Sequence, residues 1–230
     1  EDCLVPECLA ALDAWQARVG EILTAEGPDQ TAYRVRLVVL NDSEARCIPF
    51  EQLHQSPEST LTIEIYQALP DKERFELVLQ KLTELGVSRI VPMQTTHSVS
   101  LAERDAVQKK SHRWPEVLLR AARQCRRAML PELHEVVPFD DALQMVSQAE
   151  LSLMLYERET NWTLEEGLGN FKPNSVALMI GPEGGFSDAE RETAQNAGVL
   201  PVGLGPRILR TETAAIFAAA SVQNRVGDLR

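Results

Sequence analysis

"ALMIGPEGGFSDAE" occupies residues 177–190, and "PVGLGPRILRTETA" follows at 201–214. Each stretch holds an apolar run, then Gly-Pro, then a polar loop, then a helix start. A short apolar run closed by turn residues reads as a buried strand. Ser187 with Glu190 three residues on forms a capping box, and Thr211 offers a hydroxyl for the N-cap of the last helix. Both loops therefore leave strands and enter helices. In an open parallel sheet, ligands settle outside the carboxyl ends of the strands. One Gly-Pro turn is readily explained as a tight connection. Two at one sheet edge, crowded by Glu183, Arg207, Arg210 and Glu212, read as a binding surface. Gly184 and Gly185 admit positive φ, and Pro182 stiffens the entry, so main-chain N–H and C=O groups are presented without side-chain bulk. Such a surface suits a planar base or a small polar ligand.

Neither stretch is a common nucleotide motif. No lysine follows Gly185 as a phosphate-binding P-loop requires, and "GLGPRI" offers only Gly203 and Gly205 of a dinucleotide fingerprint. The last helix, from Thr211, carries Ala214, Ala215, Ala218, Ala219 and Ala220. These small residues fit ordinary close packing, a helix tucked through a loop, or a helix against a twin subunit.

Working back along the 230 residues, the pattern is α/β from about residue 69. "DKERFELVLQKLTELG" (71–86) sets Phe75, Leu79, Leu82 and Leu85 on one helical stripe with Gly86 as its stop. "VSRIVPM" (87–93), "LSLMLY" (151–156), "SVALMI" (175–180) and "GVLPVGL" (198–204) read as strands separated by helices, which predicts a parallel sheet covered on both faces. Residues 1–68 read as β-rich. "YRVRLVVL" (33–40) and "STLTIEIYQAL" (59–69) alternate as half-buried strands with turns between them, as in a small barrel. Two domains are expected, 1–68 and 69–230.

The formal net charge is −11, which taken whole disfavours a nucleic-acid partner. The distribution reverses that. "KKSHRWPEVLLRAARQCRR" (109–127) sets Lys109, Lys110, Arg113, Arg120, Arg123, Arg126 and Arg127 against one acid, Glu116, a local basic patch. The four cysteines contain no CxxC pair and the four histidines are scattered, so no metal site is expected. No apolar run is long enough to span a bilayer. The acidic "EDCLVPECLA" carries no basic segment of a secretory leader, so a cytoplasmic address with reduced thiols is expected.

"IGPEGGFSDAE" (180–190) and "LGPRILRTETA" (204–214) resemble the two C-terminal motifs of the ribosomal RNA small subunit methyltransferase E family. "ALPDKERFELVLQKLTELGVSRIVPM" (68–93) resembles that family's entry to its catalytic domain, and "RVGEIL" (18–23) part of its N-terminal domain. The resemblance implies a C-terminal SPOUT domain with a trefoil knot after a PUA-like β-barrel. It implies a homodimer through the SPOUT domain that transfers methyl from S-adenosylmethionine to N3 of a uridine in 16S ribosomal RNA of the small subunit. Carried over position by position, the cofactor contacts fall on Leu155, Ile180, Gly181, Glu183, Gly184, Leu204, Gly205, Ile208, Leu209, Arg210 and Thr213. RNA contacts fall on Lys72, Arg120, Arg123, Gln124, Arg126 and Arg127. Uridine N3 carries a proton that must leave, so a base or an anion-stabilising cation is needed. Arg210 and Arg127 are the expected cations and Glu183 a candidate base. A knotted methyltransferase acting on another RNA, and an RNA-binding assembly factor without catalysis, are the rival readings.

Overall fold

The computed structural model describes residues 2–3, 7–70, 72–100, 102–103, 111–170 and 172–229. Two compact units emerge. The first comprises Glu1–Glu58 with Leu119–Leu130, and the second Ser59–Leu118 with Pro131–Arg230.

In the first unit, β1 (Asp2–Cys3), α1 (Glu7–Ala14), β2 (Ile22–Glu26), β3 (Ala32–Asn41) and β4 (Glu44–Gln52) precede the unit boundary. The strands form an antiparallel sheet in the order β1-β4-β3-β2. The expected barrel is not what the described residues form. Four strands, one of them only two residues long, leave β1 and β2 as open edges, because closing a sheet needs more strands with tilt and stagger. Leu12, Leu37 and Ala45 make a small core.

The segment 119–130 joins this unit through contacts no local pattern announces. Leu119 and Ala122 pack on Trp15. Arg123 donates to the carbonyl of Gln16 at 3.2 Å, and the Thr24 hydroxyl donates to the carbonyl of Arg126 at 2.9 Å. Arg127 is 6% exposed and forks onto Glu58, with Nη2 and Nε donating to Oε2 at 2.7 and 3.1 Å. The backbone N–H of Ala128 donates to Oε1 of the same carboxylate at 2.8 Å.

The second unit continues with β5 (Thr62–Ala68), α2 (Lys72–Glu84), β6 (Arg89–Gln94), α3 (Trp114–Cys125, which ends in the first unit), β7 (Glu132–Leu133) and β8 (Val137–Pro138). Then come α4 (Phe139–Val146), β9 (Leu151–Leu155), α5 (Leu164–Leu168), β10 (Ser175–Ile180), α6 (Asp188–Asn196), β11 (Leu200–Val202) and α7 (Thr211–Val226). The sheet runs β11-β9-β10-β5-β6-β7, with β8 also on β6, and every pairing is parallel.

Strand β5 lies at the middle of this sheet and not in the small β domain. Its alternation misleads because the polar positions have partners. Tyr66 donates through its hydroxyl to Glu64 at 2.8 Å, and Arg89 reaches Glu64 at 3.1 Å and Glu132 at 2.9 Å. Burial and the Glu64 hydrogen bond push the Tyr66 phenol well above its usual range, so it stays a donor. Both faces of β5 are buried. Leu61, Ile63 and Ile65 join one core with Phe75, Leu79, Leu82, Ala215, Ala218 and Val222. Tyr66 and Ala68 join the other with Phe139, Val146, Phe186 and Ala194. Strand β10 alternates likewise, with Val176, Leu178 and Ile180 on one side and Ala177 and Met179 on the other, as a doubly covered parallel sheet requires. No helix among the described residues is long and apolar enough to cross a membrane.

Candidate functional site

Strands β11, β9 and β10 are neighbours and parallel, so their carboxyl ends open side by side. Three loops start there, at Tyr156, Gly181 and Gly203. Together with the first turn of α7 they enclose a cleft of about 240 Å³.

Loop 181–187 is pinned on both sides. The capping box forms, with the Ser187 side chain accepting from Glu190 N and the Glu190 carboxylate accepting from Ser187 N at 2.9 Å. The second oxygen of buried Glu190 accepts from Thr96 N at 2.8 Å. His97 lies within hydrogen-bond distance of the Gly185 carbonyl, 3.1 Å from Nδ1. Glu183 is not a free carboxylate: Arg74 of α2 donates to it at 2.8 Å. Gly185 takes φ +67°, and a Cβ there would lie 2.9 Å from both carboxylate oxygens of Glu157. Glycine at 185 therefore follows from the backbone conformation, while the Glu157 carboxylate, at the end of a flexible side chain, could turn aside.

The third loop is gripped by the first. Gly203 N donates to Trp162 O at 2.8 Å, and Gly203 O accepts from Leu164 N at 3.1 Å. A Cβ on Gly203 would lie 2.5 Å from Glu159 O, so the chain passes where only glycine fits. Beyond the loop, Arg210 rather than Thr211 is the N-cap, and it makes no side-chain cap. Thr211 is the first helical residue, and its hydroxyl donates sideways to Gly181 O at 2.6 Å. The expected N-cap hydroxyl thus serves a cross-loop bond instead.

Of the carried-over cofactor positions, Leu155, Ile180, Gly181, Glu183, Leu204, Gly205, Ile208, Leu209 and Arg210 line the cleft. Gly184 and Thr213 do not. A Cβ at Gly184 would meet the His97 side chain at 2.9 Å, so Gly184 makes room for the neighbouring loop, and Thr213 is exposed on α7. Pro182, Gly185, Arg207 and Thr211, read from the sequence as parts of the two loops but not carried over as cofactor contacts, also line it, and sequence reading missed Tyr156, Glu157, Pro206 and Ala214. Tyr156 follows directly on "LSLML" and could have been found from strand-end position alone. Its hydroxyl donates to Asp188 at 2.5 Å, and Arg158 stacks 5.1 Å above its ring. That hydrogen bond, with the Arg158 charge, holds the Asp188 carboxyl below its ordinary range.

The cations divide in two. Arg207 and Arg210 line the cleft and have no ion-pair partner among the described residues. Arg127, expected at the chemistry, belongs to the first unit, buried in its ion pair with Glu58. Arg123 is engaged within the same unit, 3.6 Å from Glu21. Arg120, Gln124 and Arg126 are exposed there. Lys72 opens α2; its side chain, with Lys109 and Lys110, lies outside the described set.

Residues 57–223 match the family model for the RNA methyltransferase domain. The ribosomal RNA small subunit methyltransferase E of Bacillus subtilis is 29% identical over 202 residues, 86% of this chain and 79% of that protein. The protein of the same name from Mesomycoplasma hyopneumoniae is 32% identical over 186 residues, 80% and 78% of the two chains. The crystal structure of the Neisseria gonorrhoeae ribosomal RNA small subunit methyltransferase E bound to S-adenosyl methionine is similar at a TM-score of 0.72 and 28% identity. That match covers 100% of this chain and 93% of the other.

Proposed function

This chain belongs to the ribosomal RNA small subunit methyltransferase E family, and from that premise we propose that it methylates N3 of a uridine in small-subunit ribosomal RNA with S-adenosylmethionine as donor. The observation that carries the proposal is the cleft at three adjacent strand ends, walled by Leu155, Ile180, Leu204 and Leu209 and floored by bare main chain at Gly181 and Gly205. Apolar walls with a few convergent polar groups are the usual make-up of a small-ligand site. They fit the two faces of an adenine. The Glu157 carboxylate at the wall fits a neighbouring positive charge, and Gly185 lines the cleft without a Cβ beside that carboxylate.

The donor supplies an electrophilic methyl carbon on a cationic sulfur. The protein must hold the acceptor in line and stabilise uracil as its N3 proton leaves. Arg210 is the residue for that task, since it lines the cleft without a competing carboxylate. Glu183, engaged by Arg74, braces the loop against α2. Arg120, Gln124 and Arg126 on the first unit are the proposed grip on RNA, with Lys72 a fourth contact. The exchange of bonds between Gly203 and the loop 159–164 supports the reading that the chain is threaded there as a trefoil knot. Ile208 is 85% and Phe217 48% exposed, and these apolar side chains support a homodimer through the second unit.

The test is incubation of purified protein with S-adenosylmethionine and small subunits, followed by nucleoside mass spectrometry of the RNA. N3-methyluridine is the expected product, and Arg210→Ala should lower turnover about 10²–10³-fold, as removal of one anion-stabilising donor does elsewhere, with unchanged melting. Methylation of another RNA or another base would replace the substrate assignment. Absence of S-adenosylmethionine binding would overturn the enzyme itself.

A further inference from the structure

We infer that Gln67 is a positioning residue that shapes the cleft by fixing the Thr211 hydroxyl, an inference that rests on the methyl-donor reading above. Gln67 sits near the carboxyl end of β5, between Ile180 of β10 and Pro92 of β6. It is 0% exposed, an uncharged amide with apolar residues on both sides of it in the sheet. Its Nε2 donates to Ala68 O at 3.0 Å and to Thr211 Oγ1 at 3.0 Å. Two acceptors on one side fix which end of the amide is nitrogen.

A threonine hydroxyl has a single proton. With its oxygen accepting from Gln67, Thr211 directs that proton to Gly181 O at 2.6 Å. The relay Gln67–Thr211–Gly181 therefore ties together the central strand, the start of α7 and the first residue of the Gly-Pro loop. Thr211 and Gly181 line the cleft and Gln67 does not, so Gln67 acts on the ligand only through them. Arg210, immediately before Thr211, has no cap of its own, and its placement follows the relay.

The amide is retained at a cost. Gln67 Oε1 is buried and has no hydrogen-bond partner among the described residues. Buried polar atoms of native proteins are nearly always paired, and an unpaired one calls for a reason. An apolar side chain of the same length would remove that burden, at the loss of the bonds donated to Ala68 O and Thr211 Oγ1. If Gln67 served packing alone, methionine would serve as well.

Gln67→Met is therefore measured for melting temperature, for KM of S-adenosylmethionine, for KM of the RNA and for kcat. The expected result is a folded variant melting within a few degrees of wild type, a rise of about tenfold in the KM for S-adenosylmethionine, as loss of one relay bond implies, and an unchanged KM for RNA. Thr211→Val should raise the same KM, and the double variant should add little, because both changes break one relay. A folded Gln67→Met with wild-type KM, or single effects that simply multiply, would overturn the inference. If Gln67→Met does not fold, Thr211→Ser against Thr211→Val decides. Serine keeps the relay and should keep the KM, valine should not, and equal values overturn it. Wild-type protein that fails to bind S-adenosylmethionine sinks the methyl-donor reading; wild-type binding with indifferent variants sinks only the relay.

Discussion

Gly203→Ala probes the crossing of loops directly. The added Cβ would lie 2.5 Å from Glu159 O and 3.7 Å from Trp162 O. An ordinary carbon–oxygen contact is about 3.3 Å or more, so roughly 0.8 Å of backbone displacement is needed between two main-chain segments, neither of which can rotate away as a flexible side chain would. Overpacking of that kind costs about 1–3 kcal/mol. The same displacement stretches Gly203 N→Trp162 O and Leu164 N→Gly203 O, both within 3.1 Å, at about 1 kcal/mol each if lost. The sum is about 3–5 kcal/mol. For a chain of this size each kcal/mol lowers the midpoint by about 2–4 °C, so the drop is on the order of 10 °C. Because Leu204 and Gly205 follow directly into the cleft, affinity for S-adenosylmethionine falls with it. Differential scanning calorimetry with and without the donor, and a calorimetric titration, measure both. A midpoint within 2 °C of wild type (an estimate scaled from the same relation) together with unchanged affinity would refute the reasoning about this crossing.

Three further outcomes follow from the contacts described. Arg127→Ala leaves the Glu58 carboxylate, 17% exposed, without its partner, and should cost about 3 kcal/mol in a urea titration; a cost below about 1 kcal/mol would return Arg127 to the class of solvated cations. Asp188 has its carboxyl pKa depressed by the Tyr156 hydrogen bond first and the Arg158 charge next. Its contribution is thus present above the ordinary aspartate range and lost as pH falls through the lower folded value. Asp188→Asn should flatten the decline of melting temperature in that acid window, and an identical acid limb would count against the bond. Phe217→Glu places a charge on the exposed face of α7 and should convert the proposed dimer to a monomer in sedimentation, with melting otherwise preserved; a wild-type monomer would refute the proposed dimer, and an unchanged dimer would refute an interface at Phe217.

The edge of the sheet was legible in the sequence because each loop there has a local signature. Pro182 and Gly185 mark a turn, and the spacing Ser187 to Glu190 marks a cap, within a few residues. What stayed hidden is non-local. Nothing near Arg127 distinguishes it from Arg126, yet one is buried on Glu58 and the other is exposed, because 69 residues separate the ion-paired side chains. Strand β5 shows a half-buried alternation because Glu64 and Gln67 interrupt the apolar run, and bonds from Arg89 and Tyr66 to Glu64, and from Gln67 to Thr211 and Ala68 O, make those two residues tolerable inside a sheet. The role of Thr211 was misread for a similar reason. A hydroxyl at a helix start is expected to accept a backbone N–H as a cap, but here Arg210 is the N-cap, and the Thr211 oxygen accepts from Gln67 while its proton goes to Gly181 O.

The pairing of β11 with β9, and of α7 with α2, has a consequence for how the molecule is made. Residues from 200 onward supply an outer strand, part of the main core and one whole side of the cleft. During synthesis every earlier piece of the second unit must wait for them, with the outer flank of β9 bare and Leu79 and Leu82 lacking their alanine cover. Closure over such long stretches of chain is slow relative to local helix formation. Catalytic competence in this protein therefore arrives late and all at once, and a nascent chain halted near residue 198 would offer an unpaired strand to its neighbours and no place for the nucleoside.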